Sequence, residues 1–437
     1  MEENQSTKEI NTAALASLIN NDNVSIIDVR SPEAYNGWRL KKEKRGGHIK
    51  NARSLPAKWI RYIDWIEIVR NKKILPGQDI IIYGYDKEES ENVARRFSKA
   101  GYDNIMVYHG FVDEWSAKED LPVKRLERYR HLVSAHWVNE LISGRRPEHY
   151  ENDRYVIVHA HYRNRDAYLS GHIPGAIDMD TLALESPETW NRRSPSELKE
   201  QLEKHGITAD TTVVLYGKFM FPDERDEFPG SAAGDIGAIR LAFLMMYAGV
   251  KDVRVLNGGF RSWSDAGYEI SYRDEPPKPV NDFGVKIPAE PGLAVDTREA
   301  KEMIASDEAE LVCVRSRPEF LGEVSGYNYI EAKGRIPGAV FADCGSDAYH
   351  MENYRNVDHT TLEYHEIEAK WKASGLSGNK HLAFYCGTGW RGSEAWFNAW
   401  LMGWPYVSVY DGGWFEWSND PANPYETGEP SNRNRRY

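Results

Sequence analysis

The sequence predicts an α/β protein of three tandem repeats, each a parallel sheet with helices on both faces. Three observations predict it. An apolar strand opens each repeat: Val24 to Arg30, Tyr155 to Ala160 and Leu311 to Arg315. A turn motif follows each time: Gly47-His48-Ile49-Lys50-Asn51-Ala52, Gly171-His172-Ile173-Pro174-Gly175-Ala176 and Gly334-Arg335-Ile336-Pro337-Gly338-Ala339. A second apolar strand then ends in tyrosine: Ile80 to Tyr83, Val213 to Tyr216 and Leu382 to Tyr385. Such self-similarity marks a duplicated unit. Strands that alternate with helical segments need crossover connections, and these make the sheet parallel and cover both its faces.

In the first repeat, Asn92 to Ala100 is amphipathic, stops at Gly101 and reads as a helix. The repeat closes on Tyr108-His109-Gly110-Phe111, with Trp115 beyond. Leu121-Pro122-Val123-Lys124 is the linker. In the second repeat, Ile236 to Ala248 is strongly apolar and ends at Gly249, so it reads as a core helix. Its closing segment runs from Leu256-Asn257-Gly258-Gly259-Phe260 to Trp263. The Pro-rich linker Glu275-Pro276-Pro277-Lys278-Pro279 should be extended and stiff. In the third repeat a helix is expected over Gly392 to Met402, with Gly403 ending it. Closure comes at Tyr410-Asp411-Gly412-Gly413-Trp414 to Trp417, and the polar tail from Asn419 is expected to be loosely ordered. Gly84 to Trp115 and Cys386 to Trp417 each span 31 residues, whereas Gly217 to Trp263 spans 46. The 15 additional residues fall in Lys218 to Gly234, where Pro, Gly, Asp and Glu cluster as in a loop. The repeats are expected at 1–128, 129–280 and 281–437.

Composition excludes several classes. The formal charge is −12, which argues against nucleic acid as a partner and requires that any anion site be local. Three cysteines, Cys313, Cys344 and Cys386, form neither a disulfide framework nor a metal-ligand spacing, so no metal and no cofactor are expected. His159 and His161 lack a nearby third ligand. No stretch reaches the ~18–20 apolar residues of a membrane span. The acidic, polar start Met1-Glu2-Glu3-Asn4-Gln5 does not read as a signal peptide, so the cytoplasm is expected, with the periplasm as the alternative for a mature form.

The chemistry is expected at Cys386-Gly387-Thr388-Gly389-Trp390-Arg391. A strand leads in and a helix leads out, so the cysteine sits on a tight turn. Gly387 and Gly389 leave backbone N–H groups unshielded. The first N–H groups of a helix lack intrahelical partners, and the helix dipole adds about half a positive charge. Such a turn is an anion cradle and favours a thiolate at its mouth. Arg391 closes the loop and either binds an anionic group of the substrate or braces the loop through carbonyls; arginine's fork suits both.

Taken together, the Asp-Val-Arg strand, the Gly-His-Ile-Pro-Gly-Ala turn, the six-residue cysteine loop and the Gly-Gly-Trp closure resemble the rhodanese family. Three such units with the cysteine only in the last are similar to the three-domain bacterial thiosulfate sulfurtransferases. The resemblance implies a persulfide on Cys386, substrate binding by Gly387, Thr388, Gly389, Trp390 and Arg391, and rhodanese-like repeats without a catalytic cysteine at 1–128 and 129–280. The sequence departs from the pattern at Cys313, where the family has Asp, at Arg335, where it has His, and at Gly84 and Gly217, which stand where cysteine would.

The implied reaction has two steps: the thiolate takes the outer sulfur of thiosulfate and releases sulfite, and cyanide or a thiol then takes that sulfur from the persulfide. A preference for thiosulfate is expected from the cation of Arg391. The alternatives are a 3-mercaptopyruvate sulfurtransferase, since the loop begins Cys-Gly-Thr-Gly, and a non-enzymatic persulfide carrier loaded by a cysteine desulfurase. A sulfur-relay protein is then a further candidate partner. Phosphatase chemistry is disfavoured because Cys386 and Arg391 are separated by four residues rather than five. Cys344 is weighed as a resolving thiol and Cys313 as an inert core residue.

Overall fold

The computed structural model describes residues 8–221 and 228–430. The first residues, Pro222 within the insertion and the end of the tail lie outside them. The chain divides into two compact units, one through Arg130 and one from His131 onward.

The first unit carries one five-stranded parallel sheet, ordered Lys8–Glu9, Ile105–Tyr108, Asp79–Tyr83, Val24–Asp28, Arg53–Ser54. The second carries two sheets built the same way, with Tyr155–His161 beside Thr212–Gly217 in one and Ala309–Cys313 beside His381–Tyr385 in the other. Equivalent positions pair in each sheet: Asp28 with Tyr83, His159 with Tyr216, Cys313 with Tyr385. Among the described residues no helix is long and apolar enough to cross a membrane.

The recurring residues act alike in all three repeats. The hydroxyls of Tyr83, Tyr216 and Tyr385 accept the N–H of Ile49, Ile173 and Ile336, tying each strand end to its turn. His48 and His172 each place Nδ1 against the carbonyl of a helix tyrosine, Tyr35 or Tyr168. Arg335 does the same job by donating to the carbonyl of Phe320 at 3.3 Å, so the arginine replaces the histidine without loss of the tie. Gly334 must be glycine: its φ is +127°, and a Cβ there would lie 2.4 Å from the Glu426 carbonyl oxygen. The indoles of Trp115, Trp263 and Trp417 donate to the carbonyls of Pro122, Glu269 and Pro424, pinning each closing segment.

Helix boundaries differ from expectation where a cap was hidden. The first helix runs Lys87–Lys99, five residues longer at its start, because Asp86 accepts the Glu89 N–H as N-cap. The apolar helix runs Gly234–Ala248 and ends at Gly249, whose φ of +118° stops it. It is apolar all round because one side covers its own sheet and another meets helix Trp390–Leu401 of the next repeat. Phe243 and Trp396 cross edge-to-face there, with centroids 5.1 Å apart.

Candidate functional site

Cys386 follows the strand His381–Tyr385 and is 1% exposed. The helix after it starts at Trp390 rather than Gly392. Gly389 is the reason: at φ +90° it turns the chain at once into the helix, a conformation in which a side chain is strained. The first intrahelical bond runs from the Ser393 N–H to the Gly389 carbonyl at 2.8 Å. The helix therefore leaves over the N–H groups of Trp390, Arg391 and Gly392 beside the cysteine. The closing segment holds the loop from behind, with Trp414 N–H donating to the Cys386 carbonyl at 2.8 Å and Phe415 N–H to that of Gly387 at 3.0 Å. Gly413 allows this approach, since a Cβ there would come within 2.6 Å of the Gly387 oxygen.

Arg391 is a brace. Its Nη1 and Nη2 lie 2.9 and 2.8 Å from the two carboxylate oxygens of Glu319, and Nη1 also donates to the Asp347 carbonyl at 2.9 Å. Both ends of the pair are buried. Burial alone raises the Glu319 carboxyl, but the charge and hydrogen bonds of Arg391 outweigh it and hold the group below the usual range. With its fork committed to Glu319, Arg391 stands charge-balanced beside the cavity. Its Nε is buried without a partner among the described residues.

Tyr327 completes the loop. Its hydroxyl accepts the N–H of Gly387 at 2.9 Å and a hydrogen bond from Arg391 Nη2. Desolvation raises its pKa well above the ordinary value, so its proton stays and is left to donate elsewhere. Gly387 has room for nothing more: a Cβ would lie 2.3 Å from the Tyr327 ring.

A cavity of about 290 Å³ opens over Cys386. Cys386, Thr388, Trp390 and Arg391 line it, whereas Gly387 and Gly389 shape the loop beneath. Six aromatic residues make up half of the remaining wall, with Pro229, Ile236, Asn328 and small residues between them. Tyr327, Tyr329 and Tyr349 come from the third repeat; Tyr162, Trp190 and Phe228 come from the second. Tyr162 meets Trp390 edge-on at 5.5 Å, Trp190 lies 4.4 Å from Tyr329, and the Trp190 indole donates to the Tyr162 hydroxyl at 3.0 Å. Arg391 is the one charged side chain among the described lining residues, and Glu319 neutralises it. Part of the second-repeat insertion, Phe228 to Ala233, lines this cavity, so the extra residues wall the site. The space beside Gly217 holds only about 20 Å³. After Gly84, the Tyr85 hydroxyl bonds Glu43 and accepts from Arg30. Gly217 ends its strand against the Gly234 carbonyl.

The other cysteines lie behind. Cys344 Sγ is 3.8 Å from Arg391 Nη1, and burial raises its thiol far above the ordinary range. Cys313 accepts from Arg315 Nε at 3.3 Å, taking the place that Asp28 holds beside Arg30. His161 pairs with Asp178. The residues that sequence reasoning missed are Glu319, Tyr327 and the second-repeat rings. Only Tyr327 and Tyr329 carried a signal, as two tyrosines in a Gly-rich segment.

The sequence pattern of the rhodanese-like domain matches residues 11–118, 148–266 and 296–420. The thiosulfate sulfurtransferase YnjE of Escherichia coli (strain K12) is 40% identical over 412 residues, covering 93% of this chain and 90% of YnjE. The structure of EanB with hercynine superposes with a TM-score of 0.96 at 66% identity, covering 97% of this chain and 99% of that one. A second EanB structure, with ergothioneine covalently linked to a cysteine persulfide, has a TM-score of 0.96 at 67% identity and covers 98% and 100%.

Proposed function

From a chain that belongs to the rhodanese family, a sulfurtransferase of three rhodanese-like domains, we propose that the last repeat passes the outer sulfur of a Cys386 persulfide to the imidazole carbon of hercynine. Hercynine is the trimethylammonium betaine of histidine. The observation that carries this reading is the cavity: seven aromatic residues line it beside Cys386, and its one charged lining residue, Arg391, is paired with Glu319. Aromatic cages attract quaternary ammonium groups. At about 290 Å³ the space is at the small end of ligand pockets and suits one compact molecule. The identity with EanB supports the same acceptor. Substitutions in EanB fall on three cysteines, a tyrosine and a threonine whose separations match those of Cys313, Cys344, Cys386, Tyr327 and Thr388.

The steps balance without an added oxidant. A sulfane donor such as thiosulfate loads Cys386: the thiolate bonds the outer sulfur and sulfite leaves with the electron pair of the broken S–S bond. In the second step the imidazole C–H gives up its proton to water, that carbon pair forms the C–S bond, and the second ring nitrogen takes a proton back from water. The Cys386 S–S bond breaks, its pair returns to Cys386 as thiolate, and ergothioneine forms as the thione. In this reading the proton of Tyr327 hydrogen-bonds an imidazole nitrogen, and the N–H groups at the start of the helix stabilise the anionic sulfur.

The test is to load the protein with thiosulfate, locate one added sulfur on Cys386 by mass spectrometry, and add hercynine. Loss of that sulfur with formation of ergothioneine is expected. A persulfide discharged by cyanide or thiols but inert to hercynine overturns the choice of acceptor.

A further inference from the structure

Behind the cavity lies a buried charged cluster that the sulfur chemistry does not use. Glu185 and Arg240 of the second repeat are both 0% exposed. Arg240 Nε is 2.6 Å from Glu185 Oε1, and its Nη2 is 2.6 Å from Asp411 Oδ1 of the third repeat. Arg192 Nη1 lies 3.0 Å from the other Asp411 oxygen. The indole Nε1 of Trp390 is 3.1 Å from both oxygens of Glu185. Arg240 also donates to the Trp190 carbonyl at 3.0 Å, so one cluster holds two walls of the cavity.

A buried ion group of this kind is weak evidence for stability, because desolvation offsets its Coulomb gain. A neutral acceptor would satisfy the indole N–H equally well. What only a carboxylate adds is a stronger acceptor: Arg240 balances its net charge, but an N–H donated to an anion pushes electron density into the indole, which deepens the negative potential of the ring face, the property that attracts cations. We infer that Glu185 is a specificity-determining positioning residue which, through the Trp390 indole, makes the cavity select cations over neutral groups of the same shape. The inference rests on the reading that a trimethylammonium group occupies the cage.

Two probes without titratable groups separate the effects: choline, and its isostere with a carbon in place of the quaternary nitrogen. Wild-type protein should bind choline more tightly. Glu185→Gln keeps an acceptor for the indole and a similar volume. It should lower the choline-to-isostere affinity ratio about three- to tenfold, while thiosulfate still loads Cys386. A merely structural role would weaken both ligands alike, and an unchanged ratio overturns the inference. If Glu185→Gln does not fold, the wild-type ratio is followed with pH. Burial raises the Glu185 carboxyl to about 7. The groups facing it are Arg240, Asp411 and the Trp390 indole; the arginine stays charged, and against burial the cations of Arg240 and Arg192, together with their hydrogen bonds, keep Asp411 low. The ratio should then fall as pH drops through about 7, and a flat profile overturns the inference. Failure of wild-type protein to prefer choline overturns the trimethylammonium reading itself, a result distinct from the other two.

Discussion

Glu319→Gln tests whether Arg391 is a brace or a substrate-binding cation. The carboxylate holds both Nη atoms of Arg391 and also accepts the Ser316 N–H at 2.9 Å. Breaking a buried pair costs about 3–5 kcal/mol because the remaining charge is left uncompensated. Glutamine keeps one acceptor oxygen, so the lower end applies, about 3 kcal/mol. For the unit from His131 onward, with about 2.1 cal/mol/K of unfolding entropy per residue, that lowers the Tm by roughly 5 °C. The assay is thermal unfolding at neutral and acid pH. Glu319 has a folded pKa below its unfolded value. Its stabilisation is therefore full above about pH 4.3 and disappears as pH falls through the folded value. The wild-type advantage over Glu319→Gln should be complete at pH 7 and shrink below about pH 4. The variant also leaves Arg391 with unbalanced charge at the cavity, so thiosulfate should load Cys386 with a lower KM. A Tm change under about 2 °C at pH 7, or an advantage that grows on acidification, would refute the reasoning.

Cys386→Ser should abolish loading by thiosulfate with the fold intact, whereas Cys313→Ala and Cys344→Ala should keep most activity; intact mass after thiosulfate distinguishes them, and loading of the serine variant would sink the mechanism. Tyr327→Phe leaves the Gly387 N–H and Arg391 short of an acceptor and removes the donor to the substrate. It should slow transfer to hercynine by tenfold or more, on the order of the 1–3 kcal/mol that an unmet buried donor costs, while loading suffers less; equal effects on the two half-reactions count against its role. Gly217→Cys in a Cys386→Ser background should be inactive and unstable, since its Cβ would lie 1.9 Å from the Gly234 oxygen. Gly84→Cys meets only Val29 and Ser90 side chains, at 2.7 and 3.0 Å, and should fold, yet stay inactive because Tyr85 and Glu43 occupy the space. Turnover at a tenth of the native rate in either variant would contradict this.

The fold was legible because each repeat writes its ties locally. Tyr83, Tyr216 and Tyr385 recur at one register, and the turn residues they meet recur with them. The loop glycines were legible for the same reason. Arg391 was not: its role depends on Glu319, 72 residues away, and no period in the chain joins the two. The cavity was least legible, since Tyr162, Trp190 and Phe228 belong to a different repeat from Cys386 and reach it only after two helices pack. The start of helix Trp390–Leu401 was missed because a left-handed glycine lets a helix begin where sequence alone suggests that a loop continues.

The packing of helix Gly234–Ala248 on helix Trp390–Leu401 bears on how such a protein can be taken apart. A gene fragment encoding only the cysteine-bearing repeat would expose the face of Trp396 that Phe243 covers. It would also strand Asp411 without Arg240 and Arg192. The repeat without a nucleophile is thus a structural partner of the one that carries it, completing its neighbour's packing and charge pairing.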